Sequence, residues 1–173
     1  NNKYNSLGND SRYFVITGGR GSGKSFAITT FLAFLTFEQG HKILFTRYTM
    51  ISAANSIIPE FLEKLELYGI MEHFRITKDE ILNISTGSSI LFKGIRTSAG
   101  NQTAALKSIS GITTWVLDEA EELIKEEDFD KIDQSVRSKS KPNRVMMILN
   151  PTTKEHWIYQ RFFAGKGVNP GTN

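Results

Sequence analysis

The sequence of 173 residues has no cysteine, only four prolines and three histidines, and no long apolar run. Without cysteine there is no disulfide framework, no thiolate metal site and no cysteine nucleophile, which suits a reducing cytosol. No apolar run approaches the ~20 residues of a membrane span, and the polar opening NNKYNSLGND is unlike a signal peptide. These absences predict a soluble protein. Its length predicts a single domain that buries about 70% of the surface exposed by the unfolded chain.

The three histidines, His41, His73 and His156, are widely separated and have no acid or cysteine at metal-ligand spacing. This spacing in the sequence excludes a metal site made of these histidines. We therefore interpret them as structural or exposed residues.

The net charge of +3 conceals a polarised chain. Half of the 18 acids lie between Asp118 and Asp133 with two bases, which leaves 19 bases and nine acids elsewhere. From Arg137 to Lys166 there are seven bases and one acid, Glu155. A basic surface around an acidic block suggests an anionic partner, and a solvated surface with incidental clustering is the alternative.

Hydrophobic patterns predict an α/β protein that begins β-α-β-α, the order of a parallel sheet with crossover helices. Two strand-like runs in the middle, joined at Thr86-Gly87, predict a β-hairpin insertion. The polar stretch 96–110 reads as a loop able to contain a short helix. The predicted buried strands are 13–16, 42–46, 114–117 and 144–149, and the two runs of the hairpin are 74–85 and 88–95. The first predicted helix is buried and extends from Gly23 towards Gly40. The others are 52–68, an acidic helix after Asp118, and 155–163.

A glycine-rich loop follows the first predicted strand and precedes the first helix, and it matches G-x-x-x-x-G-K-[ST] in full. Its glycines allow backbone N–H groups to surround phosphates at a helix start. Lys24 would reach the β- and γ-phosphates, and the Ser25 hydroxyl would ligate Mg²⁺. A glycine-rich turn with a chance Lys-Ser is the alternative. The residues predicted to bind ATP are Gly18, Gly19, Arg20, Gly21, Ser22, Gly23, Lys24 and Ser25.

Two adjacent carboxylates, Asp118 and Glu119, end the apolar run Trp115-Val116-Leu117, as in a Walker B motif. Open α/β sheets bind ligands at this edge. Asp118 is predicted to hold Mg²⁺, and Glu119 to act as general base towards water. A helix N-terminus with acids in its first turn is the alternative. A glutamate that activates water after the Mg²⁺ aspartate indicates an ATP hydrolase and motor rather than a small-molecule kinase.

Polar residues also end the next buried strand, at Asn150-Pro151-Thr152. Asn150 or Thr152 could sense the γ-phosphate and relay its loss. A plain strand-ending turn is the alternative, since Asn-Pro is itself a turn signal.

The sequence resembles the large terminase subunit of tailed bacteriophages in five segments and their order: GGRGSGKS, FTRY, ALKSISGITTWVLDEAEEL, RVMMILNPT and HWIYQRFF. The resemblance covers residues 4–163. It implies a P-loop NTPase of the additional-strand, RecA-like type, which hydrolyses ATP with Mg²⁺ to translocate double-stranded DNA into a procapsid. It also implies a homo-oligomeric ring on the portal protein, a small terminase subunit as partner, and a place in the host cytoplasm.

Several residue roles follow from the resemblance alone. Arg20 matches an arginine of the family that contacts the γ-phosphate, and is therefore a predicted catalytic residue with Lys24 and Glu119. Residues 150–152 match the family's coupling motif. Adenine-pocket candidates are Tyr4, Asn5 and Arg12. Candidates for an arginine that acts on the neighbouring subunit's ATP are, in order, Arg137, Arg96 and Arg47.

DNA contacts are expected from exposed bases, which give salt-dependent and sequence-independent binding. The candidates are Lys93, Arg96, Lys139, Lys141, Arg144, Lys154 and Arg161, with ordinary solubilising charges as the alternative. Residues 1–165 are expected to form the ATPase domain, and 166–173 a flexible tail or the start of a linker to a nuclease domain. Nuclease activity is not expected of this chain. Rival functions are a helicase-like or other nucleic-acid-dependent ATPase, and a nucleotide-binding assembly module with little turnover.

Overall fold

The computed structural model describes residues 11–50, 55, 57–97, 100–151 and 153–166. Eight strands form one mixed sheet: β1 (Tyr13–Thr17), β2 (Lys42–Thr49), β3 (Phe74–Ile76), β4 (Glu80–Asn83), β5 (Ser89–Thr97), β6 (Gly100–Asn101), β7 (Thr114–Asp118) and β8 (Arg144–Leu149). Their spatial order is β1-β8-β7-β2-β5-β4-β3, and β6 pairs with β5.

Five neighbouring strands of this sheet run parallel, from β1 through β8, β7 and β2 to β5. The strand β8 lies between β1, which leads into the glycine-rich loop, and β7, which ends at the paired carboxylates. That insertion defines the additional-strand type of P-loop fold. The predicted fold class is confirmed.

Helices cover both faces of the sheet: α1 (Lys24–Leu35), α2 (Ile57–Leu67), α3 (Thr103–Lys107), α4 (Glu126–Asp133) and α5 (Trp157–Phe162). The first two helices contribute to the core on one face, and the last three to the core on the other. Within the described ranges, no helix is long and apolar enough to cross a membrane.

The two cores explain the continuous apolar runs of the central strands. In β8, Met146 and Ile148 pack with α1 and α2, whereas Val145 and Met147 pack with α3, α4 and α5. Because successive side chains of a strand point to opposite faces, a parallel strand covered on both faces needs an apolar residue at every position.

Helix α1 differs from the fully buried helix that the sequence predicts. Ile28 and Leu32 are completely buried, but Phe26 and Phe34 are 46% and 47% exposed. A helix laid on a sheet buries only one side, so some of its apolar residues must lie outside. On that outer side the Phe34 ring lies 5.2 Å from the Tyr68 ring, and the Lys64 ammonium lies 4.7 Å from the Phe26 ring.

The predicted hairpin is confirmed as β4 and β5, with Gly87 at φ 75° in the turn. Its first run is divided, since a turn at 77–79 separates β3 from β4 and the Thr77 N–H bonds to the Glu80 carbonyl. Its second strand, β5, is also a parallel neighbour of β2 and belongs to the main sheet. The loop at 96–110 does contain a short helix, α3. Helix α2 is described from Ile57, so the predicted start at 52–56 lies outside the described residues except for Asn55.

Candidate nucleotide-binding site

The glycine-rich loop connects β1 to α1 in a conformation that only glycine adopts easily. Gly21 and Gly23 have φ angles of 77° and 80°, and Gly23 caps the N-terminus of α1. A side chain at Gly18 would place its Cβ 2.7 Å from Ser22 Oγ. Ser22 Oγ itself is buried and has no hydrogen-bond partner among the described residues. The loop is thus shaped as the sequence predicts for a phosphate cradle.

The Lys24 ammonium is held at the mouth of this loop. It donates hydrogen bonds to the Gly18 and Gly19 carbonyl oxygens, at 2.5 and 3.1 Å, and to Asn150 Oδ1 at 3.3 Å. Asn150 directly follows β8, the neighbour of β1 in the sheet. The structure therefore brings together two residues predicted to bind ATP that are 126 positions apart.

The paired carboxylates lie at the same carboxyl edge of the sheet. Asp118 is the last residue of β7 and is buried, whereas Glu119 leaves the strand with φ 53° and ψ 44°, a left-handed conformation that is unfavourable for a residue other than glycine. Burial raises the pKa of Glu119 above 4.5; Arg47 opposes this effect and Asp118 adds to it. A raised pKa brings this carboxylate closer to the working range of a general base.

The backbone at Glu119 also corrects the prediction of one acidic helix after Asp118. A short 3-10 helix over Ala120–Glu122 follows, and α4 starts only at Glu126. The left-handed residue prevents β7 from running directly into a helix. The ψ angles of Leu123 and Lys125, 89° and 113°, lie outside the helical range and separate the 3-10 helix from α4.

Arg47 is a further member of the site, contributed by β2. Its Nε and Nη2 lie 2.8 and 2.7 Å from Asp118 Oδ2, and its Nε lies 3.8 Å from Glu119 Oε2. The parallel register of β2 and β7 pairs Arg47 with Asp118, which accounts for the contact. Burial raises the pKa of Glu60 on α2, with Arg47 opposing this effect and Asp118 adding to it, so Glu60 belongs to the same electrostatic neighbourhood.

The residues present fit a phosphate group with Mg²⁺. Ser25 is exposed at the start of α1, and both Arg47 contacts to Asp118 use Oδ2, so neither involves Oδ1. A hydroxyl and a carboxylate oxygen are the hard ligands that Mg²⁺ prefers. No group of three or more acids or histidines close enough to hold a metal occurs in the described part of the chain. Ser25 and Asp118 would therefore share the metal with phosphate and water, as Mg²⁺ requires at nucleotide sites.

The structure separates the remaining predictions. Arg20 is exposed on the loop and is free to approach a phosphate from solvent. Arg12 instead pairs with Asp133 at 2.7 Å and with the Val136 carbonyl at 3.1 Å, at the start of β1. Because β1 runs from there towards the loop, Arg12 lies at the opposite end of the strand, and its assignment to the adenine pocket is wrong. Tyr4, Asn5 and Thr152 lie outside the described residues.

Of the candidates for an arginine acting in trans, Arg47 is occupied within its own chain by Asp118. Arg137 and Arg96 are exposed and keep that predicted role. The sequence pattern predicts Arg47 only as a candidate acting in trans, although its position directly after an apolar strand in FTRY is a signal for this site.

The DNA candidates divide in the same way. Arg144 is buried at the start of β8, so its assignment to DNA is wrong, because a side chain with almost no exposed surface cannot reach a phosphate. Arg161 is bound to Glu126 at 3.0 Å and to Asp130 at 2.7 Å, and Lys93 to Asp79 at 2.6 Å, so each would have to leave a carboxylate to reach DNA. The partly or fully exposed positions that keep the prediction are Lys93, Arg96, Lys139, Lys141, Lys154 and Arg161.

The fold is the additional-strand form of the P-loop NTPase fold. Its phosphate loop follows β1, its paired carboxylates end β7, and a polar residue follows β8, which lies between them. The model of the phage terminase large subunit family matches residues 10–169. The chain belongs to the phage terminase large subunit family.

Solved structures of similar fold include proteins of three phages. The large terminase of a thermophilic bacteriophage, in complex with ADP, has a TM-score of 0.65 at 15% identity, covering 92% of this chain and 39% of that one. The large terminase ATPase domain of Thermus phage P74-26 has a TM-score of 0.60 at 18% identity, covering 86% and 62%. The bacteriophage Phi-29 viral genome packaging motor assembly has a TM-score of 0.64 at 14% identity, covering 89% and 48%.

At these identities the likeness establishes the fold. This chain spans 35 to 39% of the length of the large terminase chains from the thermophilic bacteriophage. No curated protein matches the sequence.

Proposed function

We propose that this chain is the ATPase motor domain of a viral DNA-packaging terminase, hydrolysing ATP to translocate double-stranded DNA into a procapsid. The observation that carries the proposal is the convergence of Lys24, Asn150, Asp118 and Glu119 at one edge of the sheet. Family membership and the similar large terminase solved with ADP support ATP as the nucleotide.

The loop amides and Lys24 would bind the phosphates, and Arg20 would approach the γ-phosphate from the exposed side of the loop. Glu119 would accept a proton from the attacking water, with its raised pKa suited to that exchange. Mg²⁺, held by Ser25 and Asp118, would supply neutralisation of phosphate charge. Arg47 holds Asp118 through Oδ2, which would leave Oδ1 available to that ion.

The partners proposed for this domain are double-stranded DNA, a portal protein, a small terminase subunit and further copies of itself in a ring, in the host cytoplasm. The similar fold in the Phi-29 viral genome packaging motor assembly supports a place in a packaging motor. Exposed Lys139 and Lys154 would meet DNA phosphates. Arg137, or Arg96 as second choice, would complete the neighbour's site. We propose residues 1–165 as the ATPase domain.

The proposal is tested by Glu119→Gln, which keeps size and hydrogen bonding but removes the base. Turnover of ATP should fall by about 10²- to 10⁴-fold, while binding of a fluorescent ATP analogue persists. Glu122→Gln is the matched control, because Glu122 is an exposed acid of the same turn. A wild-type chain that binds ATP without measurable turnover, alone or with DNA, would favour the assembly module. Strand separation by the chain would favour a helicase.

A further inference from the structure

The turn that follows Glu119 is bonded to the nucleotide site through a carboxylate. Glu121 lies in the 3-10 helix Ala120–Glu122, and its Oε1 accepts a hydrogen bond from Asn150 Nδ2 at 2.8 Å. The Oδ1 of the same Asn150 amide accepts from Lys24 at 3.3 Å. Asn150 is therefore the middle of a chain of hydrogen bonds from the phosphate loop to the turn.

The same turn is bonded to helix α5 through a histidine. His156 Nε2 lies 3.1 Å from the Glu121 carbonyl oxygen, and His156 Nδ1 accepts from the Ile158 N–H at 3.2 Å as the N-cap of α5. A carbonyl oxygen only accepts and an amide N–H only donates, so Nε2 must carry the hydrogen and Nδ1 must not. Both partners thus select one neutral tautomer, which links the turn to α5 with a defined direction.

Trp157 makes a second tie between α5 and the same segment. Its indole Nε1 donates to the Leu123 carbonyl at 2.5 Å, and its ring lies 4.8 Å from that of Phe129 on α4. The N-terminus of α5 is therefore attached to residues 121–123, and a displacement of that segment must carry the helix or break buried hydrogen bonds.

The second carboxylate oxygen of Glu121 has no hydrogen-bond partner in the described part of the chain, although it is buried. Buried carboxylate oxygens are ordinarily satisfied, so the bond to Asn150 holds this side chain in an arrangement that is otherwise unfavourable. Release of Asn150 would allow Glu121 to change its position.

We infer that Glu121 and His156 are positioning residues that transmit the occupancy of the nucleotide site to helix α5. The inference rests on the proposed function. A Lys24 ammonium that turns towards a phosphate withdraws its hydrogen bond from Asn150 Oδ1. The Asn150 amide is then free to reorient, and Glu121 follows it. The Glu121 carbonyl passes that movement to His156, the cap of the last described helix.

The experiment is hydrogen exchange of the α5 amides, measured on the whole chain with and without ATPγS and Mg²⁺. In the wild type, we expect ATPγS to change the exchange rate of amides in 157–163 by about fivefold, the effect of one hydrogen bond on local opening. His156→Asn should remove that response, because asparagine still caps α5 by accepting from Ile158 but is too short to reach the Glu121 carbonyl.

Glu121→Ala interrupts the chain one step earlier and should also remove the response. The matched control is Gln160→Ala, since Gln160 lies on α5 and its side chain bonds to the Lys154 carbonyl, away from the turn; it should keep the response. Affinity for ATPγS is measured in the same samples, and His156→Asn should leave it within about twofold, because no contact of the phosphate loop changes.

Retention of the α5 response by His156→Asn and Glu121→Ala would overturn the inference, as would a wild type that binds ATPγS with no change in α5. A wild type that does not bind ATPγS would overturn the proposed function and the inference with it. If His156→Asn is poorly folded, the Glu121→Ala comparison decides the question, because the Glu121 carboxylate bonds to Asn150 rather than to the cap of α5.

Discussion

Replacing Arg47 by methionine tests whether this arginine stabilises the buried Asp118. The methionine side chain preserves most of the length and apolar volume of arginine and removes the charge. Asp118 is only 5% exposed, and in the wild type the Arg47 guanidinium lies 2.7 Å from its carboxylate. In EDTA the variant therefore buries this carboxylate without a positive charge beside it. Glu119 also loses its ion pair with Arg47 at 3.8 Å.

The expected cost follows from burial. Removing one partner of a buried ion pair destabilises a protein by about 3–5 kcal/mol. The Arg47 side chain is 19% exposed, so water reaches part of the pair, and the expected loss is reduced to about 2–3 kcal/mol. For a chain of this size the melting temperature should fall by about 5–10 °C.

The assay is thermal unfolding in EDTA and in millimolar Mg²⁺, with Lys93→Met as matched control. Lys93 bonds to Asp79 at 2.6 Å, nearly the same distance, but both side chains are 40% exposed. Its loss should cost at most about 1 kcal/mol. Mg²⁺ should stabilise Arg47→Met more than the wild type, since the ion would bind Asp118 without repulsion from the arginine charge. Equal destabilisation by the two variants, or no extra gain from Mg²⁺, would refute the reasoning.

Two further predictions concern the base and the core. Because burial raises the pKa of Glu119 above 4.5 and only the ionised form accepts a proton, kcat/KM should fall as the pH drops through that raised pKa of the free chain. A pH profile of kcat/KM whose acid limb lies at or below 4.5, with folding verified by circular dichroism at each pH, would contradict it. Phe129 is completely buried between Trp115 and Trp157, with ring centroids 5.0 and 4.8 Å away, so Phe129→Ala should cost about 3–5 kcal/mol in urea unfolding. A loss below about 1 kcal/mol would show that the three rings do not form one packed unit.

Local motifs were the most predictable part of this protein. The phosphate loop was recognisable because its glycines, lysine and serine are contiguous, and its geometry depends on backbone angles that glycine permits. The helices and strands of the central fold were predictable as well, since strands covered on both faces require unbroken apolar runs. Exact helix ends were less predictable, and the acidic segment after Asp118 divides because the backbone leaves the helical range at Leu123 and Lys125.

Side-chain partners across the sheet were far less predictable. Arg144 and Arg161 looked like free bases because an isolated residue in a sequence shows no burial and no partner. Arg47 looked available to a neighbouring subunit, yet the register of β2 against β7 delivers it to Asp118. His156 showed no metal-ligand spacing, and its link to Glu121 depends on a turn 35 positions away.

The sequence by itself determined the class of fold, the phosphate loop and the two carboxylates, because those features are encoded by neighbouring residues and by the periodicity of burial. Only the tertiary structure decided which charges are paired and which remain exposed. Pairing depends on strand order and register, and a parallel sheet brings together residues such as Lys24 and Asn150 from distant parts of the chain. A charge buried against an opposite charge has a different energy from the same charge in water, so its role follows from that placement.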